Sequence, residues 1–278
     1  MKKLLVLLVI FSMLTAVGCS AASQTSALAG QTELSQNTSE KPYKELTGTV
    51  VVFGTSIWAM EPGPTGVAGR LEELTSFEVK DYSLLGGMAT RIEGDSFSDI
   101  SLVSILLYNE DKLSREMRDA IPDADYVIIA FGGNDHSMGI PASGDGESYE
   151  NALLISVETI KKMNPDARIV LVGPTNGWGM EDGEYVFATE LDFGGGKLGD
   201  YVDAMKHVAE KEDVLCVNML DAWTFCEDDP TRYAEDGSHL TELGRRVYAE
   251  YLAKNIYDYY FAVDITPPSS ALRPSGSS

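Results

Sequence analysis

Histidine is scarce in this chain, three in 278 residues, and cysteine equally so. Neither recurs at a spacing that would close a zinc site, so no metal is expected. Basic residues are outnumbered, 21 Lys and Arg against 43 Asp and Glu, for a net charge of −22. A field of that sign repels nucleic acid and anionic lipid surfaces, which excludes those partner classes and leaves a neutral substrate open. Gly194-Gly-Gly-Lys197 lacks the leading glycine and the Ser/Thr of a phosphate loop, and no Gly-x-Gly-x-x-Gly follows the first apolar run. Asp145-Gly-Glu147 lacks the ladder of oxygen ligands that calcium needs. No cofactor is expected, and no internal repeat is apparent.

What is present starts at the N-terminus. Met1-Lys-Lys-Leu-Leu-Val-Leu-Leu-Val-Ile-Phe11 is a basic start followed by an apolar run too short for a comfortable membrane span. It leads into Leu14-Thr-Ala-Val-Gly-Cys19, which resembles a bacterial lipobox. The resemblance implies a signal peptide over 1–18 and lipidation of Cys19, with the protein held by that lipid on the outer face of a bacterial membrane. The bland alternative is an ordinary secretory signal with an incidental cysteine. Residues 19–44, rich in Ser, Thr and Gln, have almost no apolar periodicity and are expected to form a disordered tether. A second polar tail covers 265–278. Cys216 and Cys226 remain as an even pair in an exported chain, and a disulfide between them is left open.

The intervening 45–264 has the size of one α/β domain. Apolar runs of strand length occur at Thr49–Phe53, Phe77–Tyr82, Tyr126–Phe131, Arg168–Val172 and Val214–Val217. Helical patterns lie between or after them at Val67–Leu74, about Ser98–Arg118, Ser148–Met163, Leu198–Lys211 and Leu240–Tyr260. Continuous apolar strands alternating with helices argue for a parallel sheet covered on both faces, with right-handed crossovers and sites at the carboxyl ends of the strands. Ser56, Gly86, Asn134 and His239 would then share one rim.

Three segments at those rims carry chemistry. Gly48-Thr-Val-Val-Val-Phe-Gly-Thr-Ser56 ends a β-branched run by releasing a hydroxyl, although Ser after a strand is also a common helix N-cap. Ala130-Phe-Gly-Gly-Asn-Asp-His136 releases an amide, in a composition that also suits a plain turn. Tyr233-Ala-Glu-Asp-Gly-Ser-His-Leu240 sets Asp236 three residues before His239, just ahead of a helix. Of the other histidines, His207 falls mid-helix and reads as structural, while His136 could line a pocket but has no acid spaced to orient it.

Taken in order, these segments resemble the SGNH (GDSL-type) hydrolases, and the resemblance runs from about Thr49 to Leu252. It implies a three-layer α/β/α sandwich with a five-stranded parallel sheet, flavodoxin-like. It implies a catalytic Ser56, Asp236 and His239, and an oxyanion hole of the Ser56 N–H, the Gly86 N–H and the Asn134 amide. Asp-x-x-His would place carboxylate and imidazole on one short turn, fixing the Nδ1–H tautomer and leaving Nε2 for the serine proton. Two departures stand out: Thr55 replaces the family's Asp before the serine, and Asp81–Thr90 lacks the usual asparagine, so Gly86 is placed by spacing with Gly87 close behind. Ser56 also has no glycine two residues later, unlike the elbow of the α/β-hydrolases. The activity so implied is removal of small acyl groups, acetyl above all, from a glycan or other extracellular ester by a monomeric enzyme whose contact with the membrane is its N-terminal lipid. An acyltransferase using the same residues, or a non-catalytic surface binding protein on the same fold, are the alternatives.

Overall fold

The computed structural model describes residues 40–94, 99–223 and 229–261. Cys19, Cys226, the expected signal peptide, most of the tether and the C-terminal tail lie outside them. In chain order the elements are β1 (Tyr43–Gly54), α1 (Ser56–Ala59), α2 (Val67–Leu74), β2 (Thr75–Asp81), α3 (Leu102–Leu107), α4 (Lys112–Asp119) and β3 (Tyr126–Ala130). There follow α5 (Gly133–Ser137), α6 (Tyr149–Met163), β4 (Arg168–Val172), β5 (Trp178–Glu181), β6 (Glu184–Phe187), α7 (Leu198–Glu212), β7 (Leu215–Val217) and α8 (Glu242–Phe261).

Five strands form one parallel sheet in the order β2-β1-β3-β4-β7. The order follows from strands that bury both faces. In β1, Val51 and Phe53 join α3, α4, α6 and α7 in one core, while Val50 and Val52 join Trp58, α2 and α8 in the other. Every residue of β3 is buried, and each large apolar side chain so placed contributes about 1.5–3 kcal/mol. The result is the expected three-layer α/β/α sandwich. The chain leaves β1 toward β2 and then returns to the other side of β1 as β3, so the strand order reverses between β1 and β3. Ligands of open α/β sheets bind at such a reversal, beyond the carboxyl ends of the strands.

Three local expectations are corrected. β1 starts at Tyr43, two residues inside the stretch assigned to the tether; Tyr43 pairs with Thr75, and its ring lies 5.6 Å from that of Tyr257. The helix expected over about Ser98–Arg118 is two helices. Its apolar spacing continues, but the Asp111 side chain accepts the Ser114 N–H at 3.0 Å and starts α4 afresh. The β5–β6 hairpin was not anticipated. Its turn is Asp182-Gly183, with φ of 52° and 90°, a dipeptide suited to the left-handed conformations of a two-residue hairpin loop.

Candidate active site

The loop after β1 positions Ser56. Thr55 precedes α1 as its cap, its hydroxyl accepting the Ile57 N–H at 3.4 Å and its carbonyl accepting the Trp58 and Ala59 N–H groups at 3.1 Å. Thr55 thus does the capping work an acid could do at that position, and the Ser56 N–H has no acceptor among the described residues. Trp58 anchors α1 from below, donating Nε1–H to the Tyr248 hydroxyl of α8 at 3.2 Å.

His239 reaches Ser56 from 183 residues away, with Nε2 3.1 Å from Oγ. Its Nδ1 lies 2.7 Å from Asp236 Oδ2, while Asp236 Oδ1 accepts the His239 N–H at 2.7 Å and the Ser238 N–H at 3.0 Å. Burial pushes the Asp236 carboxyl up, but these bonds and the facing imidazole outweigh it and hold the group below the usual carboxylate range. The turn is closed by the Ala234–Leu240 bridge and by the Glu235 N–H on His239 O at 3.2 Å. The Thr241 hydroxyl, accepting the Gly244 N–H at 3.1 Å, then starts α8.

Asn134 lies in α5, just beyond the end of β3. One N–H of its amide donates to the Gly87 carbonyl at 2.8 Å, leaving the second amide hydrogen. The Gly87 N–H is spent on Leu84 O at 3.0 Å, whereas Gly86, at φ 72°, has no acceptor for its N–H among the described residues. A Cβ on Gly87 would stand 3.2 Å from Gly54 O and 3.3 Å from Phe131, so this loop lies directly against the ends of β1 and β3. The four sequence-selected positions therefore do share one rim.

Two further groups were not singled out from the sequence. Asp135 is fully buried, and its carboxylate accepts the Ala89 N–H at 3.1 Å and the Thr90 N–H at 3.0 Å. It ties the loop after β2 to the residue beside Asn134. Burial raises its pKa, and the adjacent Thr90 hydroxyl and the main-chain N–H groups work against that rise. Trp178, at the base of the hairpin, donates its N–H to Gly237 O and its Nε1–H to Ala234 O, both at 2.8 Å. The signal for Trp178 was Asp182-Gly183; for Asp135, an acid directly after the amide.

His136 lies within the fold and does not line an open pocket. It is 2 % exposed, its Nε2 is 3.1 Å from Leu191 O, and its ring meets Phe193 and Tyr201 edge-on. Burial lowers its pKa, which keeps it neutral. His207 is exposed on α7 beside Glu150. Cys216 is half-buried, and burial pushes its thiol up to about 11. Among the described residues no group of His, Cys, Asp and Glu is arranged to hold a metal ion.

A hydroxyl bonded to an imidazole, itself oriented by a carboxylate, beside spare N–H groups, is an arrangement capable of acyl transfer through a covalent intermediate. The family model described as "GDSL-like Lipase/Acylhydrolase family" matches residues 93–247, more than half of the chain, starting beyond the strand that carries Ser56. Among solved structures, a possible lipase from Chitinophaga pinensis DSM 2588 is 18% identical, with a TM-score of 0.55 over 76% of this chain and 98% of its own. An acetyl xylan esterase, AlAXEase, is 15% identical, with a TM-score of 0.52 over 75% of this chain and 99% of its own. A salicylyl-acyltransferase from a tetracycline biosynthetic pathway is 16% identical, with a TM-score of 0.54 over 77% of this chain and 55% of its own. At these identities the likeness is one of fold. No curated protein matches the chain.

Proposed function

The chain belongs to the GDSL-like lipase/acylhydrolase family, an ester hydrolase family, and on that premise we propose that it is a serine esterase acting through Ser56, His239 and Asp236. The carrying observation is the unbroken chain of contacts from Asp236 Oδ2 through both ring nitrogens of His239 to Ser56 Oγ, at 2.7 and 3.1 Å.

His239 Nε2 takes the hydroxyl proton as Ser56 Oγ attacks the ester carbonyl. Asp236 keeps the other proton on Nδ1 and stabilises the imidazolium that forms. The developing oxyanion meets the unpaired N–H groups of Ser56 and Gly86 and the second amide hydrogen of Asn134. The imidazolium then protonates the departing alkoxide, and a water activated by the same imidazole hydrolyses the acyl-enzyme.

The acyl group is small, acetyl above all, and its alcohol is a glycan or another extracellular ester. The lipobox-like stretch ending at Cys19 supports an enzyme anchored by lipid outside the cytoplasm, and a monomer suffices because Ser56, His239 and Asp236 meet within one chain. The direct test is a fluorophosphonate probe followed by mapping of the labelled peptide. Label on Ser56 is the expected result; label elsewhere, or none, removes the esterase reading in favour of a binding protein.

A further inference from the structure

We infer that Trp178 is a positioning residue for the Asp236–His239 turn, and that the β5–β6 hairpin exists at this place to hold the general base against Ser56. The inference rests on the esterase reading above and adds to it a residue of that same site.

The Ala234–Leu240 bridge and the Glu235 N–H on His239 O close the turn on itself, but these bonds lie within the segment. The Asp236 and His239 side chains are 45% and 35% exposed, and apart from the Ser56 contact they bond to each other and to N–H groups of the turn itself. Their mutual bond fixes the imidazole relative to the carboxylate but not the pair relative to Ser56. That second relation depends on whatever grips the backbone on either side of Asp236. Trp178 grips both sides, with its main-chain N–H on Gly237 O and its indole N–H on Ala234 O.

Packing at the same point is equally tight. A Cβ on Gly237 would run into the Trp178 carbonyl oxygen and stand 3.4 Å from indole Cδ2, so the ring lies on the Gly237 backbone. Gly237 also sits at φ 85°, where any side chain would be strained. A Cβ on Gly177 would stand 2.6 Å from the Gly237 carbonyl oxygen, so the two backbones are in close contact there. The base of the hairpin is pinned in turn by the Ala188 N–H on Gly177 O at 2.8 Å and the Thr189 N–H on Asn176 Oδ1 at 3.3 Å.

The rest of the hairpin has little other structural occupation. Its two strands form a separate sheet, Met180 is 58% exposed and Tyr185 is 43% exposed. The Tyr185 ring meets Trp178 edge-on at 5.1 Å. A ten-residue arm that adds no strand to the main sheet but places two donors on the catalytic turn is best understood by those donors.

Trp178→Phe keeps an aromatic ring and deletes the Nε1–H. Misplacement of a catalytic group by about 1 Å costs about a hundredfold, so freeing one side of the turn is expected to lower kcat for p-nitrophenyl acetate about ten- to a hundredfold. KM should stay within about twofold of wild type, because no substrate contact is assigned to the indole. The low-field proton resonance of His239 Nδ1–H should shift or broaden. If Phe leaves the protein unfolded, 3-benzothienyl-alanine at position 178 removes the same N–H from an isosteric ring. Ser56→Ala, assayed alongside, separates the two levels of reasoning. Retained activity in Ser56→Ala defeats the esterase reading itself. An inactive Ser56→Ala together with a wild-type kcat and resonance at position 178 overturns the positioning role, as does a loss confined to KM.

Discussion

Asp135→Asn tests whether the rim is assembled by a buried carboxylate. The side chain is wholly enclosed and accepts two main-chain N–H groups, from Ala89 and Thr90, at 3.1 and 3.0 Å. Asn offers one oxygen where Asp offers two, so one N–H is left facing an NH2. A buried donor without a partner costs about 1–3 kcal/mol, and that is the expected loss at neutral pH; Asp135→Ala orphans both and should cost roughly twice as much. Against a total stability of about 5–15 kcal/mol, the Asn variant still folds.

The pH dependence carries a sign. Because burial raises the folded pKa of Asp135, the unfolded chain releases this proton first as pH rises. Wild type therefore loses stability between the ordinary carboxylate range and the raised folded value, and the Asn variant does not. The advantage of wild type over Asp135→Asn is greatest at acid pH and narrows as pH climbs through that window. Urea unfolding of both proteins across a pH series measures it. A difference below about 0.5 kcal/mol at every pH, or one that widens with pH, refutes the clamp. The folded Asn variant should also turn over p-nitrophenyl acetate about tenfold more slowly, since Asp135 fixes the loop facing Asn134.

Other expectations follow from the same geometry. Ser56→Ala and His239→Ala should each abolish ester hydrolysis, with the double variant scarcely worse than either; losses that multiply would show two groups acting independently. Asn134→Ala should lower kcat about 10²–10³-fold through loss of one oxyanion donor, checked by steady-state kinetics, and a wild-type kcat would remove it from the hole. Gly237→Ala places a methyl against the Trp178 carbonyl at a positive φ; it should inactivate the enzyme, and unimpaired turnover would show that the turn tolerates displacement.

Much of this was legible in the chain because the informative features are local and punctuated. Val67–Leu74 and Arg168–Val172 could be read to the residue, since a periodic helix and a strand that is apolar and buried after its first residue each end where the pattern breaks. Ser56 and Asn134 stood out as polar groups released just beyond such runs, and Asp236 and His239 as an acid and a base three residues apart just ahead of a helix. The start of β1 was hidden because Tyr43–Thr47 is half polar and gains its place by pairing with β2, a partner 32 residues on at Thr75. The break between α3 and α4 was hidden because apolar spacing continues while one aspartate decides. Asp135 could not be weighed from the sequence, because an acid in a strand-end loop is ordinarily solvated and only the packed structure shows this one enclosed. The hairpin had its signal in Asp182-Gly183, but nothing along the chain reports which backbone oxygens a tryptophan will meet.

The 183 residues separating Ser56 from His239 give the site a history in time. At about 5–20 residues per second, the serine is made about 10–40 s before its base. Through that interval the chain carries a hydroxyl no more reactive than any other serine, with no imidazole beside it. On the proposed mechanism, reactivity arrives only when the Asp236–His239 turn docks beside α1, after every strand of the sheet has been made. An esterase working through these residues is thereby protected from its own chemistry as a nascent chain, and its first turnover would report that the domain, from first strand to last helix, has closed.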